Sequence, residues 1–176
     1  MKHPLHRLVG KTLQSSIPLD CEVVRDSACG GKQQVPLFCS KEKSRATQYC
    51  KVDMLILKCG KIRVIAEIEE SDVKPTQVCG KFLASALASH YIHRTQQNTP
   101  RPMDKRVAFI QVIDASKLKL DKTSKIQQFE NLSASIQALI ARGTSRVSSY
   151  RLFAWSPSKS KTVMRELADH VLRQLA

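Results

Sequence analysis

Four carboxylates crowd into six positions of this chain: Glu67, Glu69, Glu70 and Asp72. The protein as a whole is strongly basic, with 29 Lys+Arg against 15 Asp+Glu and a formal net charge of +14. Negative charge gathered at the end of an apolar strand is costly unless a cation sits in it. Carboxylate oxygens without nitrogen or sulfur partners suit Mg²⁺ or Mn²⁺. The cationic remainder points to what such an ion would act on, a polyanion such as nucleic acid.

Side chains on a strand alternate between its faces. On Lys61–Glu69, Ile62, Val64, Ala66 and Ile68 share one face, expected to be core. Lys61, Arg63, Ile65, Glu67 and Glu69 share the other, which sets the two glutamates about 7 Å apart along the strand. Glu70 and Asp72 fall at or beyond the strand end and read as solvated acids. Asp53 precedes this strand by a hairpin, and the turn decides its side. A two-residue Cys59-Gly60 loop pairs Lys58 with Lys61 and sets Asp53 opposite Ala66, on the apolar face. A three-residue Lys58-Cys59-Gly60 loop, with Gly60 at positive φ, pairs Leu57 with Lys61 and sets Asp53 opposite Ile65, diagonal to Glu67. The second register is expected, because it groups three acids and buries none alone. Asp53, Glu67 and Glu69 are then the candidate metal ligands.

The elements around them follow from periodicity. Residues 3–16 predict a helix with Leu5, Leu8, Val9 and Leu13 on one side. Residues 17–34 read as irregular. Val35–Ser40 predicts a first strand, Lys41–Arg45 a charged break, and Tyr49–Lys58 a second strand. Pro75 opens a helix to about Tyr91, whose Gly80, Ala84 and Ala88 form a small-residue stripe suited to close packing on a sheet. Lys74, Gln77 and Lys81 share another face of that helix. Arg106–Ile113 predicts a strand. Ile126 to Leu139 predicts a helix ended by Gly143, Tyr150–Trp155 a strand, and Val163 to Leu175 a last helix. The order α-β-β-β-α-β-α-β-α implies an α/β protein with a mixed β-sheet flanked by helices.

The 176 residues and the 42% apolar content fit one globular domain over residues 1–176. The mean hydropathy is -0.26, and no run approaches the roughly 18 residues of a membrane span. The N-terminus lacks the apolar stretch of a secretory signal, so a cytoplasmic protein is expected. The six cysteines form no C-x-x-C pair and read as free thiols. His3/His6 and His90/His93 read as surface histidines. Five Phe and one Trp are too few for an aromatic platform that stacks single-stranded bases.

Val52-Asp53, a hairpin, then Glu67-Ile68-Glu69 resembles the motif of the PD-(D/E)xK nuclease superfamily, the restriction-endonuclease-like fold. Roughly residues 1–115 match its α-β-β-β-α-β core, with the later elements as C-terminal additions. The motif's lysine is replaced here by Glu69, as in Glu-x-Glu restriction enzymes. The resemblance implies a Mg²⁺- or Mn²⁺-dependent DNA endonuclease, with RNA as a further possible substrate. It implies that Asp53, Glu67 and the Ile68 carbonyl bind metal, and that Glu69 orients the attacking water or binds a second ion. Lys74 or Lys81 would take the lysine's part, and Gln77 would match a glutamine that some of these nucleases carry on the same helix. Arg45, Lys51, Arg63, Arg101, Lys105 and Arg106 are the expected contacts to the nucleic-acid backbone. Symmetric cleavage of a duplex implies a homodimer. The competing expectation is a non-catalytic nucleic-acid-binding protein on the same fold.

Overall fold

The computed structural model describes residues 3–118, 122–143 and 145–176, with the side chains of 122 and 123 left aside. Its centre is a mixed sheet of eight strands. Strand β1 (Cys21–Arg25), β4 (Met54–Lys58) and β5 (Lys61–Glu69) form an antiparallel meander. Helix α2 (Pro75–Leu87) crosses over to β7 (Arg101–Asp114), parallel to β5. Helix α3 (Lys122–Ala141) crosses to β8 (Val147–Trp155), parallel to β7. A small hairpin, β2 (Pro36–Phe38) and β3 (Gln48–Lys51), joins the start of β7 through β6 (His90–Tyr91).

Helix α1 (Pro4–Ser16) and the C-terminal α4 (Ser160–Leu175) cover one face. Leu5, Val9 and Leu13 of α1 and Val163, Leu167 and Val171 of α4 recur at helical spacing, so each helix turns one apolar stripe inward. They pack on Met54, Ile56, Val64, Ala66 and Ile68. Gly10 lies against the Cys29 carbonyl, where an added Cβ would meet that oxygen at 2.2 Å, so only glycine lets α1 sit this close. The other face is covered by α2 and α3. Phe82 and Ile136 pack there on Leu55, Leu57, Ile65 and Phe109. From Val64 onward both faces of β5 are therefore buried, which is why Val64, Ile65 and Ala66 are apolar on both sides before the glutamates.

Several expectations change. The 17–34 segment holds a strand, β1, whose five residues leave only Val24 fully buried; an edge strand needs little apolar signal. Tyr49–Lys58 is two strands, broken at Val52-Asp53, because β3 belongs to the small hairpin and β4 to the meander. The helix expected to run to Tyr91 stops at Leu87, and His90–Tyr91 turns into β6. Gly80 is exposed and a Cβ there would meet nothing, so the small-residue stripe does not pack at Gly80; Val78, Phe82 and Ser85 face inward, and of the stripe Ala88, just past the helix, is buried.

The decisive difference is the β4–β5 hairpin. Lys58 pairs with Lys61, so the turn is the two-residue one, with Cys59 at φ 50 and Gly60 at φ 73. These signs define a type I′ turn. Taken alone it would have sent Asp53 to the apolar face. A β-bulge restores it: Leu57 pairs with Ile62 but Ile56 pairs with Val64, leaving Arg63 as an extra residue. Met54 then lies opposite Ala66, and the next position, Asp53, comes beside Glu67. The same bulge moves Ile62 into the core under α2 and α3, away from Val64, Ala66 and Ile68.

Candidate active site

Glu67 and Glu69 end β5 on the face under α2, and Asp53 reaches them from the start of β4. Asp53 Oδ2 accepts a hydrogen bond from the Ile68 N–H at 2.7 Å. Glu67 is 2% exposed. Lys81, almost two turns into α2, places its Nζ 2.9 Å from Glu67 Oε2 and 2.6 Å from Glu69 Oε1. Glu69 Oε1 is fully buried and has no partner of hydrogen-bonding geometry, its contact with Lys81 being an ion pair. Of the two lysines considered for the missing motif cation, the fold brings in Lys81. Lys74 is exposed at the start of α2, where its backbone N–H donates to Gln77 Oε1 at 2.8 Å. Gln77 thus caps the helix rather than facing the acids.

Burial, and then the charge of Asp53, push the Glu67 carboxyl well above the usual carboxylate range, against the pull of Lys81. For Lys81, burial disfavours the ammonium, but Glu67 and Glu69 more than offset it and its pKa is raised. Lys81 is thus the resident cation of the site. Behind Glu67 stands Gln111, its neighbour in the parallel β5–β7 register and wholly buried. Tyr150 Oη donates to Gln111 Oε1 at 2.6 Å, and Gln111 Nε2 donates to the Val78 carbonyl at 3.4 Å. This pair fixes the floor of the site through hydrogen bonds that periodicity does not announce.

Asp53 opens onto a cleft of about 680 Å³, walled by the β2–β3 hairpin and the segment after β6. Lys32, Lys43, Lys51 and Arg94 line it. Only Lys51 was expected; Lys32 and Lys43 lie in connecting segments, and Arg94 opens a short 3-10 helix after β6. Arg45 is exposed in the β2–β3 connection. The remaining expected cations lie at the far end of the sheet. Arg63 fills the bulge and binds Asp104 at 3.2 Å and the Gln174 carbonyl at 2.7 Å. Arg101 donates to Gln96 at 3.3 Å. Lys105 and Arg106 are exposed on the N-terminal half of β7, away from the acids.

Two residues read as peripheral belong to the site's other flank. Glu70 is half-buried, not solvated, and accepts the His6 backbone N–H at 2.7 Å, which caps the start of α1. His6 is 8% exposed, with Nε2 3.7 Å from Asp53 Oδ2 and Nδ1 3.1 Å from Glu70 Oε1. Its i, i+4 relation to Gly10 puts it on the face of α1 that meets the sheet, a signal present in the helical pattern. Asp72 forms an ion pair with Lys125 at 2.6 Å. Among the described residues, His3, His6 and Glu70 form a trio whose ligand atoms all lie within 4.8 Å of one another; Asp53, Glu67 and Glu69 are not so close-set. All six cysteines are free. No helix among the described residues is long and apolar enough to cross a membrane.

No family model matches the chain. Neither the curated proteins nor the solved structures contain a significant match.

Proposed function

We propose that this protein is a metal-dependent endonuclease that hydrolyses phosphodiester bonds of DNA, of a restriction or mobile-element kind. The observation that carries the reading is that Lys81 bridges Glu67 and Glu69 beside Asp53, and that Asp53 opens onto a cleft lined by Lys32, Lys43, Lys51 and Arg94. The α1, β1–β4–β5 meander, α2 and parallel β7 are the elements that a restriction-endonuclease-like core would need, with β1 in place of the first strand expected from sequence.

The residues suit Mg²⁺ or Mn²⁺: their donors are oxygens, and the Lys81 ammonium at Glu67 and Glu69 marks a place that a cation satisfies. Asp53 and Glu67 would hold the ion, with the Ile68 carbonyl completing the set. A bound Mg²⁺ supplies a water of lowered pKa and offsets charge developing on the scissile phosphate. The rest falls to the chain itself. Asp53 is oriented by the Ile68 N–H. Glu69 takes the proton of the attacking water. Lys81, moved from the motif strand to α2, faces the phosphate with positive charge. The cleft cations hold the backbone on either side. Cutting both strands symmetrically takes two such sites, and a C2 homodimer is the assembly this reading calls for.

A second reading, a non-catalytic nucleic-acid-binding protein, is favoured by one feature: the Lys81 ammonium already bridges the two glutamates. Plasmid nicking separates them. With Mg²⁺ or Mn²⁺ the wild type is expected to nick DNA, and Glu67→Ala to lose at least a hundredfold in rate while binding DNA as well or better. Absence of cleavage by the wild type across supercoiled, linear and branched DNA and RNA, with binding intact, would leave the second reading standing.

A further inference from the structure

His3, His6 and Glu70 meet where the N-terminus of α1 touches the end of β5. His3 Nδ1 lies 3.8 Å from Glu70 Oε2, and His6 Nδ1 lies 3.1 Å from Glu70 Oε1. The two imidazoles stand edge to face, their centroids 5.3 Å apart. His6 is more than nine-tenths buried, yet its Nδ1 has no hydrogen-bond partner: Glu70 is within reach but out of line with the ring nitrogen. An unpartnered buried nitrogen is costly in a native protein and calls for an explanation. Its other nitrogen supplies one. Nε2 faces Asp53 Oδ2 at 3.7 Å. With the proton on Nε2, toward that carboxylate, Nδ1 presents its lone pair on the side of Glu70, where a cation would join the two. A metal-binding histidine has this arrangement, one nitrogen on the ion and the other directed at a carboxylate.

We propose that His3, His6 and Glu70 form a binding site for Zn²⁺, distinct from the Asp53–Glu67–Glu69 centre and independent of the nuclease reading. Two imidazoles are borderline ligands that, with one carboxylate, favour Zn²⁺ over Mg²⁺. Three protein ligands leave a coordination position for water. The carboxylate is held ready, because Glu70 Oε1 accepts the His6 N–H at 2.7 Å. Bound Zn²⁺ clamps the start of α1 to the end of β5 and holds His6 against Asp53, so it steadies one wall of the acid centre.

The test uses Zn²⁺ and Co²⁺ with the full chain. One equivalent of Co²⁺ is expected to give visible d–d absorption of a low-coordinate site, displaced by Zn²⁺, and Zn²⁺ is expected to raise the melting temperature. His3 is largely exposed, so His3→Ala leaves the fold intact and is expected to weaken Zn²⁺ binding at least tenfold and remove both signals. Glu70→Gln is expected to do the same, while Glu67→Gln keeps wild-type Zn²⁺ affinity. Equal Zn²⁺ affinity in the wild type, His3→Ala and Glu70→Gln would overturn the proposal. So would loss in Glu67→Gln alone, which would put the ion among the acids and leave the nuclease reading untouched. Zn²⁺ binding lost with His3 in a protein that cleaves nothing would sink the nuclease reading and keep this one.

Discussion

Glu67 is the residue at which burial sets charge against stability. Its pKa is raised by burial and by Asp53, so the folded protein keeps a proton on it to higher pH than the unfolded chain does. The stability tied to that difference is complete below the unfolded value, near 4.5, and is lost as pH rises through the folded value. Glu67→Gln, neutral throughout, retains it. The variant is expected to be about 1 kcal/mol more stable than wild type at pH 8, roughly 2–4 °C in melting temperature. The two melting curves should converge near pH 4; a variant less stable at pH 8 would show that Glu67 is held charged without cost. Glu69 and Lys81 offer a second test. Glu69→Lys, which brings in the lysine of the motif that the sequence resembles, sets two ammonium groups together beneath α2 and should lower stability and, under the proposed function, abolish cleavage. Adding Lys81→Glu reverses the pair and should recover about 1–3 kcal/mol, read as a coupling energy in urea melts. A double variant no more stable than Glu69→Lys alone would mean that the ion pair is not what holds these groups.

At the scale of the element, the β4–β5 hairpin sets the site. Its type I′ turn requires positive φ at both central residues, and only the second is glycine. Cys59 carries the strain of the first. Asn adopts that conformation more readily, so Cys59→Asn is expected to stabilise the protein by about 0.5–1 kcal/mol in urea denaturation. A loss instead would argue against the two-residue turn. The bulge at Arg63 is the compensating half of the design. Turn and bulge each shift the register by one, and together they return Asp53 to the side of Glu67. Arg63, fastened to Asp104 and the end of α4, is spent on keeping that irregularity in place.

For the molecule as a whole, charge is distributed unevenly in a way that can be measured. The net charge of +14 attracts any polyanion, but only some cations flank the acids. Each phosphate contact contributes about one counterion to the salt dependence of binding. Lys51→Ala and Arg94→Ala are therefore expected each to reduce the slope of log affinity against log salt for duplex DNA by about 1. Lys105→Ala and Arg106→Ala, at the other end of β7, should leave the slope unchanged. The reverse ranking would place the nucleic acid on the far end of the sheet and detach it from the acid centre.

The sequence by itself determined what local periodicity can encode. The limits of β5, the helices α1 and α4, and the common face of Glu67 and Glu69 follow from alternation and from helical spacing, each set by residues a few positions apart. The tertiary structure decided the rest. It chose Lys81 over Lys74, buried His6 and Glu70 against the acid centre, and assembled a basic cleft from Lys32, Lys43 and Arg94. It also put Asp53 in place by a turn and a bulge whose one-residue shifts add to two, reaching the expected side by a route that the turn residues do not reveal. These outcomes depend on pairings between segments far apart in the chain, and such pairings are settled by packing both faces of one sheet at once, which no single strand's pattern records.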